Sequence, residues 1–147
     1  MARKTSDQSR EAGFTLFELL VVLAILTLLA AIVAPRVIGY LGRAKADVAR
    51  SQMSNIVTAL ELYYLDIGGY PAEDQGLPAL VAAPEIDGEP LAAWRGAYLG
   101  DEAALTDPWG AAYMYVYDPD TDRARVVSYG RDGEPGGEGE DGDLLAQ

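Results

Sequence analysis

The sequence predicts an α+β fold: one long N-terminal α-helix, membrane-spanning in its first half and amphipathic in its second, packed on a small antiparallel β-sheet. Three observations carry this expectation. Phe14–Ala34 is an apolar run of 21 residues broken only by Thr15, Glu18 and Thr27. Apolar residues then recur at helical spacing as far as Ile67. Late in the chain two strand-like segments, AYMYVYD and RARVVS, flank the turn residues of DPDTD.

The first element is the apolar run. About 20 apolar residues cross a bilayer core as a helix, so Phe14–Ala34 is long enough to span. The preceding MARKTSDQSREAG is short and polar, with Arg3, Lys4 and Arg10 against Asp7 and Glu11. Basic residues on this side place the N-terminus in the cytoplasm. A secretory signal peptide would carry a shorter apolar core ahead of a small-residue cleavage site, so the segment reads as a signal anchor. Glu18 is out of place by these rules, because a carboxylate inside an apolar span costs about 2.5–3.5 kcal/mol on insertion scales.

Beyond the span, Val37, Leu41, Ala44, Val48, Met53, Ile56, Leu60, Tyr63 and Ile67 follow at mostly three- and four-residue steps. That is one stripe on a continuing helix. Pro35 lacks an amide hydrogen and predicts a kink or local unwinding. Gly68-Gly69 followed by Pro71 predicts the stop near Asp66. The next stretch, Tyr70 to Asp107, is irregular, with a short helix expected over 75–82 and breaks at Pro84, Gly88 and Pro90. In AYMYVYD, alternation puts Tyr113, Tyr115 and Tyr117 on one face and Met114 and Val116 on the other. The helical stripe is the surface available for this sheet to cover. Trp94 and Trp109 are expected in the core, and Asp107, with Pro108 and Gly110, is expected to shape the approach to the sheet.

Charge narrows the function classes. The first fifty residues carry seven Lys/Arg and four Asp/Glu, whereas the rest carry four Arg and nineteen acids. Such an acidic domain repels phosphate backbones, so nucleic acid is not an expected partner. The chain has neither Cys nor His, which removes disulfides, Cys/His zinc sites and His-based catalysis. An enzyme is not expected. Residues 132–143, DGEPGGEGEDGD, hold six acids and five glycines; composition alone reads this as a solvated tail.

Gly13-Phe14-Thr15-Leu16-Phe17-Glu18-Leu19-Leu20 resembles the processing site of type IV pilins and related pseudopilins, with Phe17 where Ile is usual. GGYPAEDQGLPALVAAP, AYLG, DPWGAAYMY and SYGRDGEPGGEGEDGDL are similar to successive landmarks of the major-pseudopilin family of type II secretion. Gly142 and Leu144 depart from the common Ala and Ile. This resemblance implies a pilin-like fold and three regions: a leader over 1–13, a transmembrane and assembly helix over 14–34, and a periplasmic globular domain over 35–147. It implies cleavage after Gly13 by a prepilin peptidase and methylation of Phe14. It further implies a single-pass inner-membrane precursor that assembles into a helical homo-oligomer, the pseudopilus, alongside minor pseudopilins and an inner-membrane assembly platform. Glu18 then becomes an assembly residue, paired with the new Phe14 amine of its own chain or of a neighbour. The acidic segment becomes part of a calcium loop, 129–144, with ligands from the Tyr129 carbonyl and the Asp132, Asp141 and Asp143 side chains, Glu140 in reserve. Calcium suits such oxygens, although the spacing is not that of an EF-hand. A type IV pilin for adhesion or DNA uptake is the alternative in the same class, and a membrane-anchored enzyme the alternative outside it.

Overall fold

In the computed structural model, residues 14–147 are described; the leader and Gly13 lie outside them. The element order is a 52-residue helix, α1 (Leu16–Ile67), then a short hairpin of β1 (Glu85–Ile86) and β2 (Glu89–Pro90), then β3 (Met114–Asp118), β4 (Arg123–Ser128) and β5 (Leu144–Ala146). Three short 3₁₀ turns, Leu77–Leu80, Glu102–Leu105 and Gly139–Asp141, punctuate the connections. The chain separates into two compact units, one ending at Gly39 and one comprising Tyr40–Gln147.

The first unit contains the apolar half of α1. Its most apolar window has a mean hydropathy of 2.9 and none of it is buried, so by length and composition it can cross a membrane. Helical backbone continues through Pro35, so the local unwinding expected there does not occur. Exposed Leu16, Leu19, Leu23 and Leu26 leave this surface without a protein partner among the described residues.

The second unit has its own core. Ala49, Met53, Ile56, Leu60 and Tyr63 form the buried stripe of α1, at steps of four, three, four and three. This corrects the sequence reading at its N-terminal side: Val37, Leu41 and Val48 are exposed. Ala49 rather than Val48 is the core position, and its carbonyl accepts from the buried Tyr113 hydroxyl at 3.4 Å. Leu77, Leu80 and Leu99 from the irregular stretch, with Tyr113 and Val126 from the sheet region, complete the cluster. Gly68, with φ of 88°, ends the helix in the left-handed conformation that glycine adopts without penalty.

The sheet order is β3-β4-β5, antiparallel throughout. Tyr113 and Tyr115 point inward while Met114 and Val116 face out, as the alternation requires. The phenol of Tyr113 donates to Gln52 Oε1 at 2.8 Å on α1. Burial, reinforced by the charge of Asp107, pushes that phenol up to about 12, so it is a neutral donor at ordinary pH. The Tyr115 hydroxyl donates to the Pro71 carbonyl at 2.8 Å and that of Tyr98 to Asp66 at 3.0 Å. Three tyrosines thus fasten the later chain to the helix and its C-terminal turn.

Three strands go beyond what the sequence predicts: the β1–β2 hairpin and β5. β1 and β2 are joined by Asp87-Gly88, both at positive φ, the two-residue turn that Asp-Gly favours. β5 is a third strand made of the last residues, pairing Ser128 with Leu144 and Val126 with Ala146. The helix expected over 75–82 is a single 3₁₀ turn.

Candidate functional site

At the start of α1, Thr15 and Glu18 hold each other. The Thr15 backbone N–H and hydroxyl both donate to Glu18 Oε2 at 2.9 Å, and the Glu18 N–H donates to Thr15 Oγ1 at 3.2 Å. This is a capping box: the side chain at the N-cap and the acid three residues later each satisfy an amide with no partner inside the helix. The sequence Thr-x-x-Glu signals it directly, yet the sequence reading used only the charge. The carboxylate is therefore partly compensated within its own chain, by backbone polarity and by the positive end of the helix dipole. Phe14, the predicted new N-terminus, is exposed immediately before this box.

The acidic segment is a closed loop, since β4 enters it, β5 leaves it and the two strands pair. Inside, the Arg131 N–H donates to the Glu140 carbonyl at 2.8 Å. The Arg131 guanidinium grips Asp141 with both oxygens at 2.9 Å and lies 3.8 Å from Glu140 Oε2. Asp143 accepts from the Gly136 N–H at 3.0 and 3.1 Å. Asp132 accepts from the Glu134 N–H at 3.2 Å. Gly130 and Gly137, both at positive φ, allow the 140–142 backbone to pass so closely that a Cβ at either would strike it. The Glu140 side chain lies over Gly42 of α1, where a Cβ would overlap it.

These contacts test the fit of calcium. The donor chemistry is right for a hard cation: three carboxylates with carbonyls in a glycine-rich loop. In this structure those oxygens are already engaged within the protein. Asp141 is held by Arg131, Asp132 and Asp143 accept from loop amides, and no group of three or more acids gathers in a metal-holding geometry among the described residues. Tyr129 follows Ser128 at the end of β4, at the mouth of the loop.

A residue that the sequence placed only loosely turns out to organise this region. Asp107 is 5 % exposed. Its Oδ1 accepts from the Trp109 and Ala111 N–H groups at 3.0 and 2.9 Å, and its Oδ2 accepts from the Ser128 hydroxyl at 2.7 Å. Ser128 Oγ accepts in turn from the Gly130 N–H at 3.3 Å. One buried carboxylate thus joins the turn before β3 to the end of β4 and the start of the loop.

Known proteins resemble this chain over both parts. Residues 36–147 match the family described as type II secretion system protein G, and residues 8–34 match the prokaryotic N-terminal methylation motif. Proteins named type II secretion system core protein G are 38% identical in both Pseudomonas aeruginosa and Vibrio cholerae. The first match covers 94% of this chain and 96% of the relative; the second covers 92% and 90%. The solved major pseudopilin of the type 2 secretion system of enterohaemorrhagic Escherichia coli superposes with a TM-score of 0.58 at 30% identity, over 73% of this chain and 86% of that one. The pilin-like α+β architecture expected from the sequence is the observed one, and the chain belongs to the type II secretion system protein G family.

Proposed function

We propose that this chain is the major structural subunit of a type II secretion pseudopilus, without enzymatic activity of its own. It is made as a single-pass inner-membrane precursor with its globular domain in the periplasm. A prepilin peptidase removes the leader after Gly13 and Phe14 is methylated. Subunits then assemble, with minor pseudopilins and on an inner-membrane platform, into a filament that helps drive folded proteins across the outer membrane. The observation that carries this reading is the apolar half of α1, whose side chains are uncovered along its whole length. Lipid covers that surface before assembly and neighbouring helices cover it afterwards. Glu18 is proposed to exchange part of its capping role for the Phe14 amine of a neighbouring subunit, setting the axial register. In a host lacking this gene, folded exoproteins should accumulate in the periplasm and be released again on complementation. Unimpaired secretion by the deletion strain would contradict the reading.

Calcium binding by the Tyr129 carbonyl and the Asp132, Asp141 and Asp143 side chains is a second proposal. It is supported by donor chemistry and requires Asp141 to exchange Arg131 for the metal. A ligand that binds only the folded state stabilises it by about 2.7 kcal/mol at a hundredfold excess over Kd, which raises Tm by roughly 10 °C or more for a domain of this size. Thermal unfolding is therefore expected to shift upward in calcium relative to chelator, with magnesium substituting poorly. Identical curves across millimolar calcium would remove the metal from the account.

A further inference from the structure

We propose that Arg131 is the built-in cation of the C-terminal loop: it closes the loop onto α1 without a metal and competes with divalent cations for Asp141. The segment 132–143 carries six acids, and their mutual repulsion would hold it open if nothing offset it. The cation that stands among them is the Arg131 guanidinium. Its Nε and one terminal nitrogen each donate to a different oxygen of Asp141 at 2.9 Å, the two-point geometry that a planar guanidinium achieves and an ammonium does not. The other terminal nitrogen lies 3.8 Å from Glu140, and the backbone N–H of Arg131 is bonded to the Glu140 carbonyl at 2.8 Å.

Position and consequence are linked by Glu140. Arg131 holds this residue by both main chain and side chain, and the Glu140 side chain rests against Gly42 on α1. Fixing Arg131 to residues 140–141 therefore fixes the loop to the helix. The same contacts set the terms for a metal, because a divalent cation reaching Asp141 meets the positive guanidinium already bonded to both of its oxygens and must displace it or bear the repulsion. Only the competition rests on the calcium proposal; closure by Arg131 does not.

The experiment uses the full chain in detergent micelles, with Arg131→Gln and Arg131→Lys beside the wild type. In chelator, Arg131→Gln is expected to lower Tm by roughly 5 °C. It should also speed amide exchange at Gly136 and Asp141 by about tenfold or more, as a locally opened loop requires. Arg131→Lys should fall between, since it supplies charge without two-point contact. Titrated with calcium, Arg131→Gln should bind severalfold more tightly than wild type. If Arg131→Gln matches wild type in chelator in both Tm and exchange, closure by Arg131 is overturned. If calcium affinity is equal in the two chains, the competition is overturned. Should neither chain respond to calcium while Arg131→Gln still opens in chelator, the calcium proposal and the competition fail and the closure stands.

Discussion

Glu18→Ala is expected to leave membrane insertion and leader cleavage intact while abolishing filament assembly and secretion. The substitution removes a charge from the start of the apolar segment, so insertion is not made harder, and alanine's high helix propensity offsets part of the loss of the capping acid. On the proposed pairing, what disappears is the partner of the Phe14 amine. An amine left unpaired among packed apolar helices carries a desolvation cost of several kcal/mol, repeated at every subunit added. The capping box with Thr15 supplies a sharper variant. Glutamine also serves at the third position of such a box, so Glu18→Gln keeps the cap and loses the charge. If the charge pair sets the register, both variants fail to complement a deletion strain. Complementation by Glu18→Gln alone would assign Glu18 to capping the helix and remove the charge pair from assembly.

Asp107→Ala is expected to destabilise the globular unit more than any single surface change, by about 3 kcal/mol or more. Three donors converge on this carboxylate, and a hydrogen bond to a charged acceptor contributes about 1.5–3 kcal/mol. The substitution leaves two part-buried amides and the buried Ser128 hydroxyl without their acceptor. For a domain of about 100 residues the loss corresponds to a fall in Tm of roughly 10–20 °C. Asp107→Asn keeps an acceptor for the two amides and should fall about half as far. Because Ser128 also holds the Gly130 N–H, the damage should reach the C-terminal loop. Thermal unfolding with amide exchange across residues 128–143 measures both; an Asp107→Ala protein melting within a few degrees of wild type would show that the network is dispensable.

What was legible in the sequence followed from periodicity and punctuation. The apolar span, the continuation of the helix to Ile67, its glycine stop and the tyrosine face of β3 all arise from local patterns that a single helix or strand must obey. The N-terminal limit of the buried stripe was not legible. Val48 and Ala49 are both apolar, and only the close packing of the helix against the rest of its unit selects the smaller residue. β5 was hidden for a similar reason: Leu144–Ala146 is too short to show alternation, and its pairing with β4 is non-local. Composition alone makes the loop look tail-like, because acid and glycine content reports neither that its two ends are paired nor that Arg131 sits inside it; only the family resemblance reads 129–144 as a loop. The capping box and the Asp-Gly hairpin are written locally in Thr15-x-x-Glu18 and Asp87-Gly88, beneath the stronger signals of charge and chain breaks. For Asp107, proximity to Pro108 and Gly110 indicated a turn, but burial and the bond to Ser128 depend on a partner 21 residues away.

The central claim is that this chain enters a filament as a processed subunit whose first residue is Phe14. Mass spectrometry of filaments purified from the native host tests it most directly. The account predicts a chain that has lost residues 1–13, retains 134 of its 147 residues, and carries a methyl group on the Phe14 amine. Assembled filaments built from the intact chain, with the leader still attached, would contradict it.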